Sequence, residues 1–479
     1  MGCTGSNATA PSPAIAPGAE ALDARRVAER LAREHGPSGV HPRVREVVPG
    51  FDGPFFQAGL AGYSDAAMRI IARRHGCPYC VTEALLDRTL LAGGRGFAKA
   101  DLGELHDNVP GGEEDHPLAG QLMGSEPREM AAAALKLVEQ GKRADREYRR
   151  LAYNGALAPG VEQHLRLPGG EQIGRGKWQI ANEQMANEEE PTAALRAGGH
   201  PSRGAGEGGG GERALACASC SEDSFAAIDV NLACPVKKIA SKARGGHWLA
   251  EPEGAIRILE AVREALPASV PTTVKLRRSF DDTPEMAAAC LRILDAAYGM
   301  GYAWATVHAR TVEQKYVGPS RWDALREIVR HVRRRDPDRV VFGSGDVWNA
   351  EDVYRMIGYT GVNAAAVARG CIGNPWVFRQ ARQLLAGGAP AAPSVEEQRG
   401  VLEEHFTLAL AVNAGARRPE AYTGKVMRKF GIRFAEHHPR SEEARRRFVG
   451  VCSLDDWRGV LEEFYSPGAF ESLPASVLS

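Results

Sequence analysis

The chain is expected to fold as an α/β protein: a (β/α)8 TIM barrel followed by a small all-helical C-terminal domain. Three observations predict this. From Phe55 onward a short apolar strand, a polar or glycine loop and an amphipathic helix recur eight times, and such alternation implies parallel strands with crossover helices. No Gly-x-Gly-x-x-Gly follows the first strand, which argues against an open doubly wound sheet. After Pro375 the strand signals stop and only helical stretches follow.

The strands are predicted near 55–60, 79–84, 117–122, 226–232, 272–277, 304–309, 339–344 and 364–368. Helices are predicted over Asp65–His75, Pro127–Gln140, Glu253–Ala265, Pro284–Tyr298, Trp322–Arg335 and Ala350–Ile357. Residues 1–50, rich in Ala, Pro and Gly, read as a partly disordered extension with one helix from Ala19 to His35. The barrel is expected over 51–385, interrupted by a low-complexity insertion at 143–222. That interval is far longer than an ordinary helix-to-strand connection. Its glycine run, 204–212, cannot bury a core. Joining a helix to the next strand, it belongs at the bottom of the barrel, away from the catalytic face. Residues 394–470 read as the helical domain, with helices such as Val395–Asn413 and Ala421–His437. Its middle is locally basic, from Arg417 and Arg418 through Arg428, Lys429 and Arg433 to Arg445–Arg447, which points to nucleic-acid contact.

Hydrophobic content of 43% and charged content of 25% are ordinary for a globular protein. Net charge is zero, so a nucleic-acid partner has to be held by local patches. No apolar run approaches the roughly 20 residues of a membrane span, and a signal peptide's apolar core is missing from the start. The opening Met-Gly-Cys-Thr-Gly-Ser fits the loose myristoylation pattern. The nine cysteines form no regular framework, so a reducing cytoplasmic setting without disulfides is expected. No metal site and no stable protein partner are expected.

The stretch from Ile228 to Gly246 concentrates chemistry. Ile228, Val230 and Leu232 alternate with Asp229 and Asn231 as a buried strand that stops at Cys234-Pro235, because proline cannot donate to a central ladder. A loop carrying Lys237, Lys238, Lys242 and Arg244 follows. In such barrels functional groups sit at the carboxyl ends of strands. Those ends supply Gly59, Leu60 and Ala61, then Gln121, Asn231, Cys234, Lys275 and Arg277. His308, Arg310, Ser344-Gly345-Asp346 and Ala368-Arg369-Gly370 complete the set. The glycine loops after strands seven and eight suit a phosphate. Lys275, His308 and Gln121 over the mouth suit the ring of a phosphorylated aromatic cofactor such as FMN.

Two Cys-x-x-Cys pairs occur. Cys77-Pro-Tyr-Cys80 has a helix before it and a strand after it, the reverse of the redox arrangement that lowers a thiol pKa. Cys217-Ala-Ser-Cys220 falls in the insertion. Neither is read as a redox or zinc site.

These segments, in order, resemble the tRNA-dihydrouridine synthases, flavin enzymes that reduce uridine in tRNA. The matching pieces are Ala58–Asp65, Thr82-Glu83, Gln121–Gly124, Asp229–Lys238, Val274–Arg277, Thr306–Thr311, Gly343–Asp346 and Ala368–Trp376. The helical tail resembles the family's RNA-binding domain mainly through Arg428-Lys-Phe430. The resemblance implies FMN as cofactor, NADPH as reductant and tRNA as partner. It implies that Cys234 protonates C5 of uracil while hydride passes from flavin N5 to C6. An ordinary thiol is largely protonated at neutral pH and can serve as such an acid. Gly59, Leu60, Ala61, Gln121, Lys275, His308, Ser344, Gly345, Asp346, Ala368, Arg369 and Gly370 are then expected to hold FMN. Asn231, Lys238, Arg244, Arg310, Arg428 and Lys429 are expected to touch the RNA.

The chain departs from the family at Gly59-Leu60, where Pro-Met is usual, at Ala233, where Gly is usual, and at Ser344, where Asn is usual. Two rival readings follow. One is an FMN barrel acting on a free pyrimidine, of the dihydroorotate dehydrogenase kind. The other is a non-catalytic tRNA-binding relative.

Overall fold

Eight parallel strands pair in sequence order and close into a barrel. The computed structural model describes residues 18–91, 113–138, 225–235, 244–414 and 416–466. The strands are β1 (Phe55–Gln57), β2 (Cys80–Leu86), β3 (Leu118–Met123), β4 (Ala227–Leu232), β5 (Thr272–Arg277), β6 (Trp304–His308), β7 (Val340–Ser344) and β8 (Ala364–Val367). Closure is made by β1 against β8 in the register Phe55↔Ala365, Phe56↔Ala366 and Gln57↔Val367. The predicted eight-strand barrel is therefore what forms, with β1 shorter than its sequence signal because the glycines at 59 and 62 end it.

The outer layer is helical. After α1 (Ala24–His35) and α2 (Pro42–Val47) come α3 (Ala66–Arg74), the short α4 (Asp87–Leu91) and α5, described over 127–138. Then follow α6 (Pro252–Ala265), α7 (Pro284–Gly299), α8 (Trp322–Arg335), α9 (Ala350–Thr360) and α10 (Trp376–Leu385). Several starts are capped as the sequence dictates. The Asp65 carboxylate accepts from Met68 N, Thr283 Oγ1 from Met286 N, and Asn349 Oδ1 from Asp352 N, satisfying helix N–H groups that have no intrahelical partner.

Residues 18–50, expected as a loose extension, are packed against the barrel. α1 lies on α9 and α10. Gly358 of α9 is the close-approach point, since a Cβ there would meet Val27 Cγ2 at 2.7 Å. Val40, Val44 and Val48 are buried, and Phe51 closes the lower end of the barrel. Its ring stacks on Tyr79 at 4.7 Å and meets Phe56, Trp304 and Phe342 edge-on. The lower interior is thus an aromatic plug, and the polar inward residues are left to the upper layers. The insertion at 143–222, including Cys217 and Cys220, lies outside the described residues, as do the first 17 residues with Cys3.

The C-terminal helices are α11 (Val395–Val412), α12 (Pro419–Phe434), α13 (Ser441–Val449) and α14 (Leu454–Phe464). Their own core includes Phe406, Phe430, Phe434, Phe448 and Trp457. α11 packs on α3, and Trp376 Nε1 of α10 donates to Glu397 Oε1 at 3.1 Å. Gly373 has φ +67°, and a Cβ there would strike the Phe434 backbone nitrogen at 2.6 Å, so the helices sit directly on the β8 loop. Among the described residues no helix is long and apolar enough to cross a membrane.

Phe51 is fully buried and touches four aromatic rings. Phe51→Ala should therefore lower unfolding free energy by about 3 kcal/mol or more. Urea unfolding measures this, and a loss below about 1 kcal/mol would show that the plug is dispensable.

Candidate functional site

The polar interior begins one layer above the aromatic plug. Inward positions of neighbouring strands place Gln121 (β3), Asp229 (β4), Thr273 and Lys275 (β5) and Thr306 (β6) around one cavity, with Asn231 (β4) bonded to Gln121. Phe56, Tyr79 and Trp304 form the floor of that cavity, and Ala58 and Gly59 lie along one side. Gln121 Nε2 donates to Asp229 Oδ2 at 2.7 Å, and Thr273 Oγ1 donates to Asp229 Oδ1 at 2.6 Å. Asn231 Nδ2 donates to Gln121 Oε1 at 2.7 Å, while Asn231 Oδ1 accepts from Ala233 N at 2.9 Å. Burial pushes the Asp229 carboxyl up, and the two donated hydrogen bonds and Lys275 oppose that.

Burial and the adjacent Arg277 lower Lys275 to about 8, while Asp229 and Cys234 work to keep it charged. His308 lies well below the ordinary histidine value, first through burial and then through Arg277, Lys275, Arg310 and Arg369. It is therefore neutral at physiological pH. Its Nδ1 accepts from Arg310 N at 3.2 Å, which assigns the proton to Nε2 as a donor.

Cys234 is half-buried just beyond β4. Its backbone is gripped on both sides. Gly246 N donates to the Cys234 carbonyl at 2.9 Å, and Arg277 Nε donates to the Ala233 carbonyl at 2.9 Å. A Cβ on Gly245, where φ is +56°, would lie 2.8 Å from Cys234 Cβ, so glycine is required for the chain to return past the thiol. Arg277 also donates to the carbonyls of Thr311 and Lys315, each at 2.7 Å. It joins the cysteine turn to the β6 loop.

Across the mouth, a Cβ on Gly370 would meet the Val347 carbonyl at 2.3 Å, and one on Gly345 (φ +115°) would meet Ser320 Oγ at 2.4 Å. Only glycine lets the two loops pack this closely on Ser320, Val347 and Trp348, and Arg369 lies beside them. The Arg369 guanidinium lies over Trp348 at 4.7 Å and Tyr316 at 5.3 Å and pairs with Asp346 at 3.4 Å. Ser344 is buried at the end of β7, and Ala368 is half-buried before the Arg369–Cys371 turn. On the β1 side, a Cβ on Gly59 would strike the Thr82 carbonyl at 2.2 Å. Leu60 N donates to Ser64 Oγ at 2.8 Å, and Ala61 is exposed. Close-packed glycine loops, arginine, half-buried lysine and flat glycine wall fit a phosphorylated planar ligand.

The structure brings the expected ring- and phosphate-side residues around one mouth but redirects several residues assigned to RNA. Arg310 is fully buried and spends its donors on the Gly318 carbonyl, Ser320 Oγ (2.8 Å) and both Asp346 oxygens (2.9 and 2.8 Å). It braces Asp346, itself held at φ +56°, and is not available to a macromolecule. Arg244 is likewise buried and paired with Asp87 at 3.4 Å. Asn231 is engaged inside the site. Arg428 donates to the Val451 carbonyl at 3.0 Å and to Cys452 Sγ. Lys429 donates to the Gly62 carbonyl and lies 4.7 Å from the Tyr63 ring centroid and 5.1 Å from that of Phe430. It fastens α12 to the β1 loop. Lys238 lies outside the described residues. Sequence reasoning treated Asp229 and Thr273 only as parts of strands; their polar character at inward positions was the available signal. Cys77 and Cys80 are buried free thiols 3.8 Å apart, between α3 and β2. Among the described residues no group of three or more His, Cys, Asp or Glu side chains is placed to hold a metal ion.

Two outcomes follow. Because Lys275 loses its proton earlier in the folded chain than in the unfolded one, the unfolded chain binds more protons between about 8 and the ordinary lysine value. Stability then rises with pH across that window. The urea midpoint of the ligand-free parent should gain on that of Lys275→Met between pH 7.5 and 9.5; a constant or shrinking gap would contradict the assignment. Lys429→Met should speed amide exchange by roughly three- to fivefold in both α12 and residues 59–64, the scale of a lost cation–π contact. Faster exchange confined to α12 would remove the docking role.

The dihydrouridine synthase (Dus) family pattern matches residues 208–447, from before β4 into α13, half of the chain. The chain is 33% identical over 232 residues to a probable tRNA-dihydrouridine synthase of Mycobacterium tuberculosis, covering 48% of this chain and 56% of that protein. It is 31% identical over 240 residues to a probable tRNA-dihydrouridine synthase of Treponema pallidum, covering 49% and 68%. It is 35% identical over 181 residues to tRNA-dihydrouridine synthase B of Shewanella oneidensis, covering 38% and 53%. The chain thus spans little more than half the length of the first of these relatives. A matched segment of half the chain, reaching from before β4 into the C-terminal helices, establishes that the chain belongs to the dihydrouridine synthase family.

Proposed function

We propose that the chain reduces the C5–C6 bond of uracil in tRNA, with FMN as cofactor, NADPH as reductant and Cys234 as the acid. The observation that carries this is one mouth that brings the Cys234 thiol, the half-buried Lys275 and the neutral His308 together with Arg369 and the close-packed glycine loops after β7 and β8. Bound FMN, once reduced, would supply hydride to C6 of the uracil. The protein's share is binding, orientation and the proton. Gly345, Arg369 and Gly370 would hold the phosphate through backbone N–H groups and the guanidinium. Gly59 lets the ring approach the chain. Lys275 and the Nε2–H of His308 would hydrogen-bond the ring's polar edge, where a cation favours the reduced anion.

Cys234, fixed by Gly246 and Arg277 through its own and its neighbour's carbonyl, holds a proton for C5. A uridine reaches such a mouth only by leaving its stack. The C-terminal helices, docked through Lys429 and Gly373 onto the loops around the mouth, would carry the rest of the RNA. A free pyrimidine needs no such wall, which favours tRNA over the dihydroorotate-dehydrogenase-like reading. A tRNA substrate would put the protein in the cytoplasm.

The test is mass-spectrometric detection of dihydrouridine in unmodified tRNA after incubation with the purified protein, FMN and NADPH. Cys234→Ala should lower the rate by about 100-fold or more, the scale of a lost general acid, while FMN content stays near that of the parent. A yellow parent that leaves tRNA untouched but reduces a free pyrimidine would replace this reading with the rival. A colourless parent that binds tRNA would establish the non-catalytic relative.

A further inference from the structure

We propose that Asp229 is a positioning residue that sets, through Gln121 and Asn231, the backbone turn on which Cys234 is presented. The inference rests on the reading of Cys234 as the acid.

Four hydrogen bonds run in series. Ala233 N donates to Asn231 Oδ1 at 2.9 Å, Asn231 Nδ2 to Gln121 Oε1 at 2.7 Å, and Gln121 Nε2 to Asp229 Oδ2 at 2.7 Å; Thr273 Oγ1 closes the end on Asp229 Oδ1 at 2.6 Å. All five residues are at most 8% exposed, so water does not compete for these bonds. The series has one direction. A backbone N–H can only donate, so Ala233 forces the Asn231 oxygen toward the turn and its amide nitrogen toward Gln121. Gln121 must then accept on its oxygen and donate from its nitrogen. The far end therefore needs an acceptor, and the Asp229 carboxylate accepts from Gln121 and Thr273 together. Bonds aligned in this way polarise one another.

The turn itself is held at three backbone atoms. Ala233 N is held by this series, the Ala233 carbonyl by Arg277 and the Cys234 carbonyl by Gly246. Of these, only the first runs back through side chains to Asp229. Gln121 is anchored independently, since its backbone N donates to Thr82 Oγ1 at 2.9 Å, so only its amide is free to answer Asp229.

The test uses the full-length, FMN-loaded protein and two readouts. One is the rate of Cys234 alkylation by iodoacetamide, followed by peptide mapping. The other is kcat and KM for tRNA. Asp229→Ala should change the alkylation rate by at least about threefold and lower kcat by about 10- to 100-fold, the cost of a misplaced reacting group, with KM nearly unchanged. Asp229→Asn should restore both to within about threefold, because its oxygen can still accept from Gln121 while its amide donates to Thr273 Oγ1. If Asp229→Ala does not fold, Thr273→Val carries the test, with a smaller change in the same readouts. An Asp229→Ala protein that is merely less stable, with parental alkylation and kcat, overturns the proposal. So does an Asp229→Asn protein as impaired as Asp229→Ala, which would assign the effect to the charge. Alkylation needs no turnover, so a parent inactive on tRNA sinks the functional reading and leaves the relay tested.

Discussion

Closure of the sheet is the constraint on which the rest of the structure depends. The β1–β8 register turns eight strands into a ring, and an eight-stranded ring has an interior only wide enough for side chains. Every second residue must then enter that space. At the lower end the entrants are Phe56, Tyr79, Trp304 and Phe342, with Phe51 sealing them from below. One layer higher they are Gln121, Asp229, Thr273 and Lys275. Without the aromatic floor, water would reach the Asp229 carboxylate from below, and its hydrogen bonds to Gln121 and Thr273 would weaken. The chemistry of the mouth is therefore built on the dryness of the plug.

The mouth gathers many groups of one sign, and the fold sorts them. Arg277 and Arg310 are fully buried and bind backbone carbonyls and Asp346. Burial first, and then their positive charge, lowers His308 and, from Arg277, Lys275. The result is a neutral imidazole donor and a lysine that gives up its proton more readily than usual. An anionic ligand would relieve this crowding of positive charge, which is the electrostatic argument for a phosphate-bearing cofactor.

The C-terminal helices are joined to the mouth by contacts with the β1 and β8 loops. Lys429 reaches the β1 loop, and Gly373 lets α12 approach the β8 loop. RNA held by these helices and the cofactor held by those loops would share one rigid support. This explains why residues that look like RNA contacts in a basic helix can serve the architecture instead.

Much was legible in the chain alone. The eightfold strand–loop–helix rhythm identified the barrel, and the strand-end residues marked the cysteine turn and the glycine loops, because these are local properties of short segments. Glycine at 59, 345 and 370 marked close backbone approaches for the same reason. The fates of the arginines were not legible, because a guanidinium looks identical in sequence whether it meets solvent or a buried carbonyl. Arg244, Arg310 and Lys429 found partners in Asp87, Asp346 and Gly62, the first and last far away in the chain. Nor could residues 18–50 be recognised as a packed wall and plug, since Phe51 acquires its meaning only beside rings from β1, β2, β6 and β7. The sequence by itself determined the periodicity, the turn chemistry and the reactive groups. Only the closed tertiary structure decided which charges would pair and which would face the mouth, because pairing depends on distances that the order of residues does not contain.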